Sequence, residues 1–128
     1  MAQRQNISSG SSRELVLGHS RAVRVGNQVF VAGATAGSAD GAVGCTDAAA
    51  RARKVFSRVE TALTEAGAGF TDVVRTRVHQ TNIADSGAVG AVHGEIFGEV
   101  RSVTGVVDVG ALAAEDLPVE AEADALLR

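Results

Sequence analysis

Apolar and polar positions in this chain alternate with a period of two in some stretches and near 3.6 in others, and each change of period marks an element. "AVRV" (22–25) and "QVFVAG" (28–33) alternate and flank Gly26-Asn27, a pair that tolerates positive φ; a β-hairpin is predicted. "ATAGSADGAVG" (34–44) is small, Gly-rich and without period, which predicts a loop. Thr46 or Asp47 can cap a helix running to about Ala66, because Ala52, Val55, Phe56, Val59, Ala62, Leu63 and Ala66 recur at steps of three and four. Gly67 then supplies the usual stop.

Period two returns in "DVVRTRVHQT" (72–81), with Val74, Thr76 and Val78 assigned to one face and Arg75, Arg77 and His79 to the other. A second helix is predicted from about Ser86 to Gly98, capped by Asp85, with Val89, Val92, Ile96 and Phe97 as its stripe and His93 at its edge. "SVTGVVDV" (102–109) and "PVEAEADALL" (118–127) are strands; the last sets Val119, Ala121, Ala123 and Ala125 opposite Glu120, Glu122 and Asp124.

The order β-β-α-β-α-β-β, with room for a short N-terminal strand, implies an α+β fold in two layers: a mixed sheet with two helices on one face. Residues 14–128 form one domain in this reading, after a polar, Ser/Gly-rich segment 1–13 expected to be loosely ordered. The other sheet face combines small apolar residues with complementary charges. Such a face is rarely left bare, so a homo-oligomer with clefts between subunits is expected.

Composition narrows the function. The chain has 128 residues, 45% hydrophobic but only 3% aromatic, so the core is built from Val, Ala, Leu and Ile. Net charge is −3, and Lys54 is the one lysine among twelve basic residues. No basic block and few stacking aromatics argue against nucleic acid as the main partner. Cys45 is alone and His19, His79 and His93 lack ligand spacing, so neither a disulfide nor a metal site is expected. "GSADGAVG" lacks the phosphate-loop lysine. The N-terminus has no apolar signal core and no run of about 18 apolar residues exists, so a cytoplasmic protein without membrane contact is expected.

The segments "GHSRAVRVGNQVFVAG", "ARKVFSRVETALTEAGAGFTDVVRTRVHQTNIAD", "VVDV" and "VEAEADAL" resemble the Rid (YjgF) family of reactive-intermediate deaminases, in order and spacing, over about residues 17 to 127. The resemblance implies a chorismate-mutase-like α+β fold and a homotrimer with three inter-subunit clefts. It implies hydrolysis of enamines or imines to keto acids and ammonia, without a cofactor. Several members carry labels as translation inhibitors or endoribonucleases, which this composition does not support.

By the same resemblance, Glu120 falls on the family's water-handling glutamate, Gly33 on its backbone contact, and His19 on a tyrosine that shapes the cleft. The carboxylate-binding arginine is where the chain departs. Anchored on "VDV", the arginine position falls on Thr104; Arg101 reaches it only with three inserted residues, and lacks the parity of Asp108 that Thr104 shares. Thr104 is thus either a plain strand residue or a cleft hydroxyl. Arg101 is either a surface residue or an anion contact from upstream. Glu120 is either an acid/base or, with Glu122, an ion-pair partner of Arg75 or Arg77.

The leading expectation is an enzyme of this family acting on an enamine, imine or related unsaturated intermediate, by water addition, proton transfer or cyclisation. Glu120 and His19 would be catalytic, and Thr104, Gly33 and Arg101 would bind substrate. The usual 2-iminopropanoate deamination is weakened by the missing arginine. The alternatives are a ligand-binding or regulatory trimer without turnover, and a structural trimer with a decayed site.

Overall fold

A computed structural model describes residues 3–36, 47–112 and 118–128. Cys45, Thr46 and most of the Gly-rich loop lie outside the described residues. Elements run β1 (Arg4–Ile7), α1 (Ser12–Leu17), β2 (Ala22–Val25), β3 (Gln28–Thr35), α2 (Ala48–Glu65), β4 (Val73–Gln80), α3 (Ser86–Phe97), β5 (Val103–Asp108) and β6 (Val119–Leu126), with short 3-10 turns before β4 and α3. Six strands make one mixed sheet in the order β1-β2-β3-β6-β4-β5. All pairs are antiparallel except β4 with β5.

The two long helices cover one face, as expected of an α+β two-layer fold. In α2, Asp47 accepts a hydrogen bond from Ala50 N at 2.7 Å, satisfying one of the free N–H groups of the first turn. Its stripe Ala52, Val55, Phe56, Val59, Ala62 and Leu63 is buried against the sheet. Burying each Val or Leu of that stripe stabilises the fold by about 1.5–3 kcal/mol. Gly67 follows with φ +85°, the left-handed geometry that terminates the helix. From β6, Val119, Ala121, Ala123 and Ala125 complete the core. Small residues there let the helices approach the sheet closely.

Three features differ from the pattern. Residues 4–7, inside the segment expected to be loosely ordered, form β1 on the sheet edge. Only Ile7 of this strand is buried, so backbone pairing rather than a repeating apolar side holds it. Helix α1 buries none of its residues and so leaves no periodic trace; Ser11 caps it and Gly18, at φ +70°, ends it. In β4 the register slips between Val73 and Arg75, a bulge that turns Val74 out while Val73, Thr76, Val78 and Gln80 face the core. Among the described residues, no helix is long and apolar enough to cross a membrane.

Candidate functional site

The sheet sorts the chemistry-bearing side chains onto two faces. On the face away from α2 and α3, β4 and β6 pair Arg75 with Asp124, Arg77 with Glu122 and His79 with Glu120. Arg77 reaches Glu122 at 2.9 Å and Asp124 at 3.6 Å; His79 Nδ1 lies 3.9 Å from Glu120 Oε1. These side chains are 26–46% exposed, so the pairs add little stability in the isolated chain. Their alternation with the core alanines sets the face.

Glu120 is held against β3. Thr35 is its cross-strand partner, and Gly33 lies beside its side chain. A Cβ at position 33 would overlap the Glu120 carboxylate, so only glycine leaves that group its present place. Sequence reasoning placed Gly33 and Glu120 in one site, and the structure brings them together. Between Val31 and Ala34 the β3–β6 register slips, and Gly33 sits in this irregularity. Carbonyls there are turned out of the ladder and meet another donor: Arg21 NH1 donates to Gly33 O at 2.9 Å and to Ala32 O at 3.3 Å. Arg21 was not singled out from the sequence. Its one signal was its place two residues after His19, in the segment that carries the family resemblance.

His19 sits just beyond α1. Its backbone N–H donates to Glu14 O at 3.0 Å, and its Nδ1 is buried without a hydrogen-bond partner among the described residues. The Glu14 carboxyl is pulled down to about 2 by hydrogen bonds from the Ser9 hydroxyl and N–H, with a smaller contribution from the His19 charge. His19 is thus hydrogen-bonded to Glu14, and among the described residues no hydrogen bond or ion pair joins it to Glu120.

Thr104 lies on the opposite face from Glu120. It pairs with Thr76, which is buried on the helix side and pairs in turn with Ala123. Thr76 Oγ1 donates to Thr104 Oγ1 at 2.6 Å and lies 2.8 Å from His93 Nε2. His93 is not at a free helix edge: its ring lies tilted against Phe97 with centroids 4.6 Å apart and meets Phe56 edge-on at 5.7 Å. Burial pushes its pKa below the usual histidine value, favouring neutral imidazole. The row Thr104–Thr76–His93 was not foreseen, because its members come from two strands and a helix. Arg101 stands outside β5 with φ +62°, its N–H donating to Phe97 O at 2.8 Å, and its side chain is exposed.

His79, Glu120 and Glu122 bring three ligand atoms within 4.8 Å of one another. The sequence spacing gave no hint of this, since the histidine and the acids lie on different strands. Arg77 already neutralises Glu122, which weighs against a cation there.

The α+β two-layer sheet thus carries a glutamate beside a glycine-lined irregularity on one face and a hydroxyl row on the other. The chain belongs to the family described as Endoribonuclease L-PSP, the YjgF (Rid) family, whose pattern matches residues 12–127. It is similar to the structure of Rv2704 from Mycobacterium tuberculosis, a member of the YjgF/YER057c/UK114 family, at 49% identity and TM-score 0.88, covering 98% of this chain and 100% of that one. It is 36% identical to the Streptomyces coelicolor protein SCO2049, over 94% of this chain and 90% of that one. It is 32% identical to the RutC family protein PYRAB12510 of Pyrococcus abyssi, over 82% and 83%.

Proposed function

We propose that this chain is a homotrimeric hydrolase that converts a small imine, or the enamine that tautomerises to it, into a carbonyl compound and ammonia. The observation that carries this reading is the close approach of the Glu120 carboxylate to Gly33, where the absent side chain leaves room for it beside β3. Glu120 takes a proton from water as the oxygen bonds to the imine carbon. It passes that proton to nitrogen as C=N becomes C–N, giving a carbinolamine, then takes the carbinol hydroxyl proton and delivers it to nitrogen as the C=O bond forms and the C–N bond breaks. The balance is imine plus water to carbonyl plus ammonia, so no cofactor is required.

Glu120 and Thr104 occupy opposite faces of one sheet, so one chain cannot offer both to a single small ligand. A cleft using both takes Glu120 from one subunit and Thr104 from its neighbour. Support for assembly comes from the unpaired edge of β5, where Val103, Val106 and Val107 are 57%, 43% and 52% exposed. Gly33 lies beside Glu120 in this cleft, His19 is assigned to its wall by the family resemblance alone, and Arg101 stands two residues before β5. A single cysteine, and hence no intrachain disulfide, suits a cytoplasmic setting.

The test is release of ammonia from 2-imino acids generated in place by an amino-acid oxidase, measured with and without the protein. Acceleration by the wild type that Glu120→Gln removes supports the reading. No acceleration on any imine, with saturable binding of a small ligand, supports a binding protein instead.

A further inference from the structure

Arg21 is about half buried, and desolvation is the largest influence on its guanidinium, pushing its pKa below the usual arginine value. The charge of Arg58 pushes the same way, while Glu14 and Glu120 pull it back up. Arginine remains charged throughout. Burying a cation without a partner is costly, and such groups are normally paired. Among the described residues, no carboxylate stands at ion-pair distance from Arg21.

The hydrogen bonds of Arg21 use one corner of the fork. NH1 donates to both Ala32 O and Gly33 O. Nε and NH2 make no hydrogen bond among the described residues, and these two nitrogens form the edge that matches a carboxylate with two parallel bonds. The NH1 anchorage fixes the plane of that edge. The same Gly33 that accepts from Arg21 lies against the Glu120 carboxylate. A cation and a carboxylate thereby both approach one glycine, and the Glu120 charge is felt at Arg21.

We infer that Arg21 is the anion anchor of this cleft, binding the carboxylate of a small 2-imino or 2-enamino acid through its Nε–NH2 edge while Glu120 serves the adjacent carbon. Thr104, in the place where the family resemblance sets an arginine, then supplies a neutral wall. This assignment rests on the hydrolase reading above, because it uses the same cleft. It makes Arg21 a specificity residue: it selects the anionic head group and leaves the proton transfers to Glu120.

The experiment measures binding of 2-oxobutanoate and of its methyl ester by calorimetry, and imine turnover in parallel, on wild type, Arg21→Met, Arg21→Lys and the remote control Arg53→Met. Melting curves check that each variant folds; Arg21→Lys keeps a cation able to reach the Ala32 and Gly33 carbonyls. The expected result is keto-acid binding weakened about tenfold or more in Arg21→Met and less in Arg21→Lys, weak ester binding throughout, and unchanged Arg53→Met. Keto-acid binding or imino-acid KM that is the same in wild type and both Arg21 variants overturns the assignment. If Glu120-dependent turnover persists in that case, the hydrolase reading stands without it. Arg21-dependent keto-acid binding with no imine turnover sinks the hydrolase reading and keeps the anchor. Absence of both sinks both.

Discussion

Gly33 and Glu120 are packed so closely that one methyl group on the glycine would fall on the glutamate's carboxylate. The atoms in the way are the far end of a flexible side chain, which can swing aside cheaply. Gly33→Ala is therefore expected to displace Glu120 without unfolding the protein. Imine turnover should drop about a hundredfold, as when a general acid/base is lost. The melting temperature should stay within a few degrees. A large loss of stability with activity per folded molecule retained would show that Gly33 serves the fold instead.

The hydroxyl of Thr76 is fully buried, between His93 and Thr104. Thr76→Val keeps the shape and removes the bonds, leaving the imidazole and Thr104 without a partner on that side. The expected cost is about 1–3 kcal/mol in chemical denaturation, and Thr76→Ser should recover most of it. Equal stability of the valine and wild-type proteins would deny the row any energetic weight.

His93 is held below its ordinary pKa by burial, so the folded state binds its proton less readily than the unfolded state does. Its contribution to stability is complete above the unfolded value, about 6.5, and is lost as pH falls through the lower folded value. Unfolding free energy measured from pH 7 downward should decline across that window. His93→Gln should flatten that part of the curve, and a decline of the same size in the variant would assign it to other groups.

Arg101 is the one non-glycine residue with positive φ among the described residues. Left-handed backbone costs an ordinary residue about 1–2 kcal/mol, and glycine loses about 0.5–1 kcal/mol in conformational freedom on folding. Arg101→Gly should thus stabilise by about 0.5–1 kcal/mol, read as a raised melting temperature. A fall would mean that the side chain makes stabilising contacts in the assembly.

The elements with a buried stripe were legible. The stripe of α2, the alternation of β6 and the Gly26-Asn27 turn all follow from side chains that repeat on one side, and the structure has each of them. Elements held by backbone bonding were fainter: the order left room for a short N-terminal strand but gave it no position, since β1 buries one side chain, and α1, which buries none, was not foreseen. The bulge at Val74 escaped because β-branched residues suit either face, and alternation cannot reveal an inserted residue. At the site, Gly33 and Glu120, each placed by the family resemblance, lie side by side. Arg21 was missed because its role depends on carbonyls eleven and twelve residues away, exposed by an irregular register that no local pattern encodes. Parity correctly put Thr104 with Asp108, yet could not say that this face of β5 is the one opposite Glu120.

That separation of Thr104 and Glu120 by the sheet is the most direct handle on a shared cleft. Glu120→Gln removes the acid/base from one wall, and Thr104→Trp fills the other. Each variant alone should be inactive on 2-imino acids. Co-expressed in equal amounts and purified as mixed trimers, they should regain about a quarter of wild-type activity, because a quarter of the clefts join an intact Glu120 wall to an intact Thr104 wall. Mixed trimers as inactive as either parent would contradict a cleft built from two subunits.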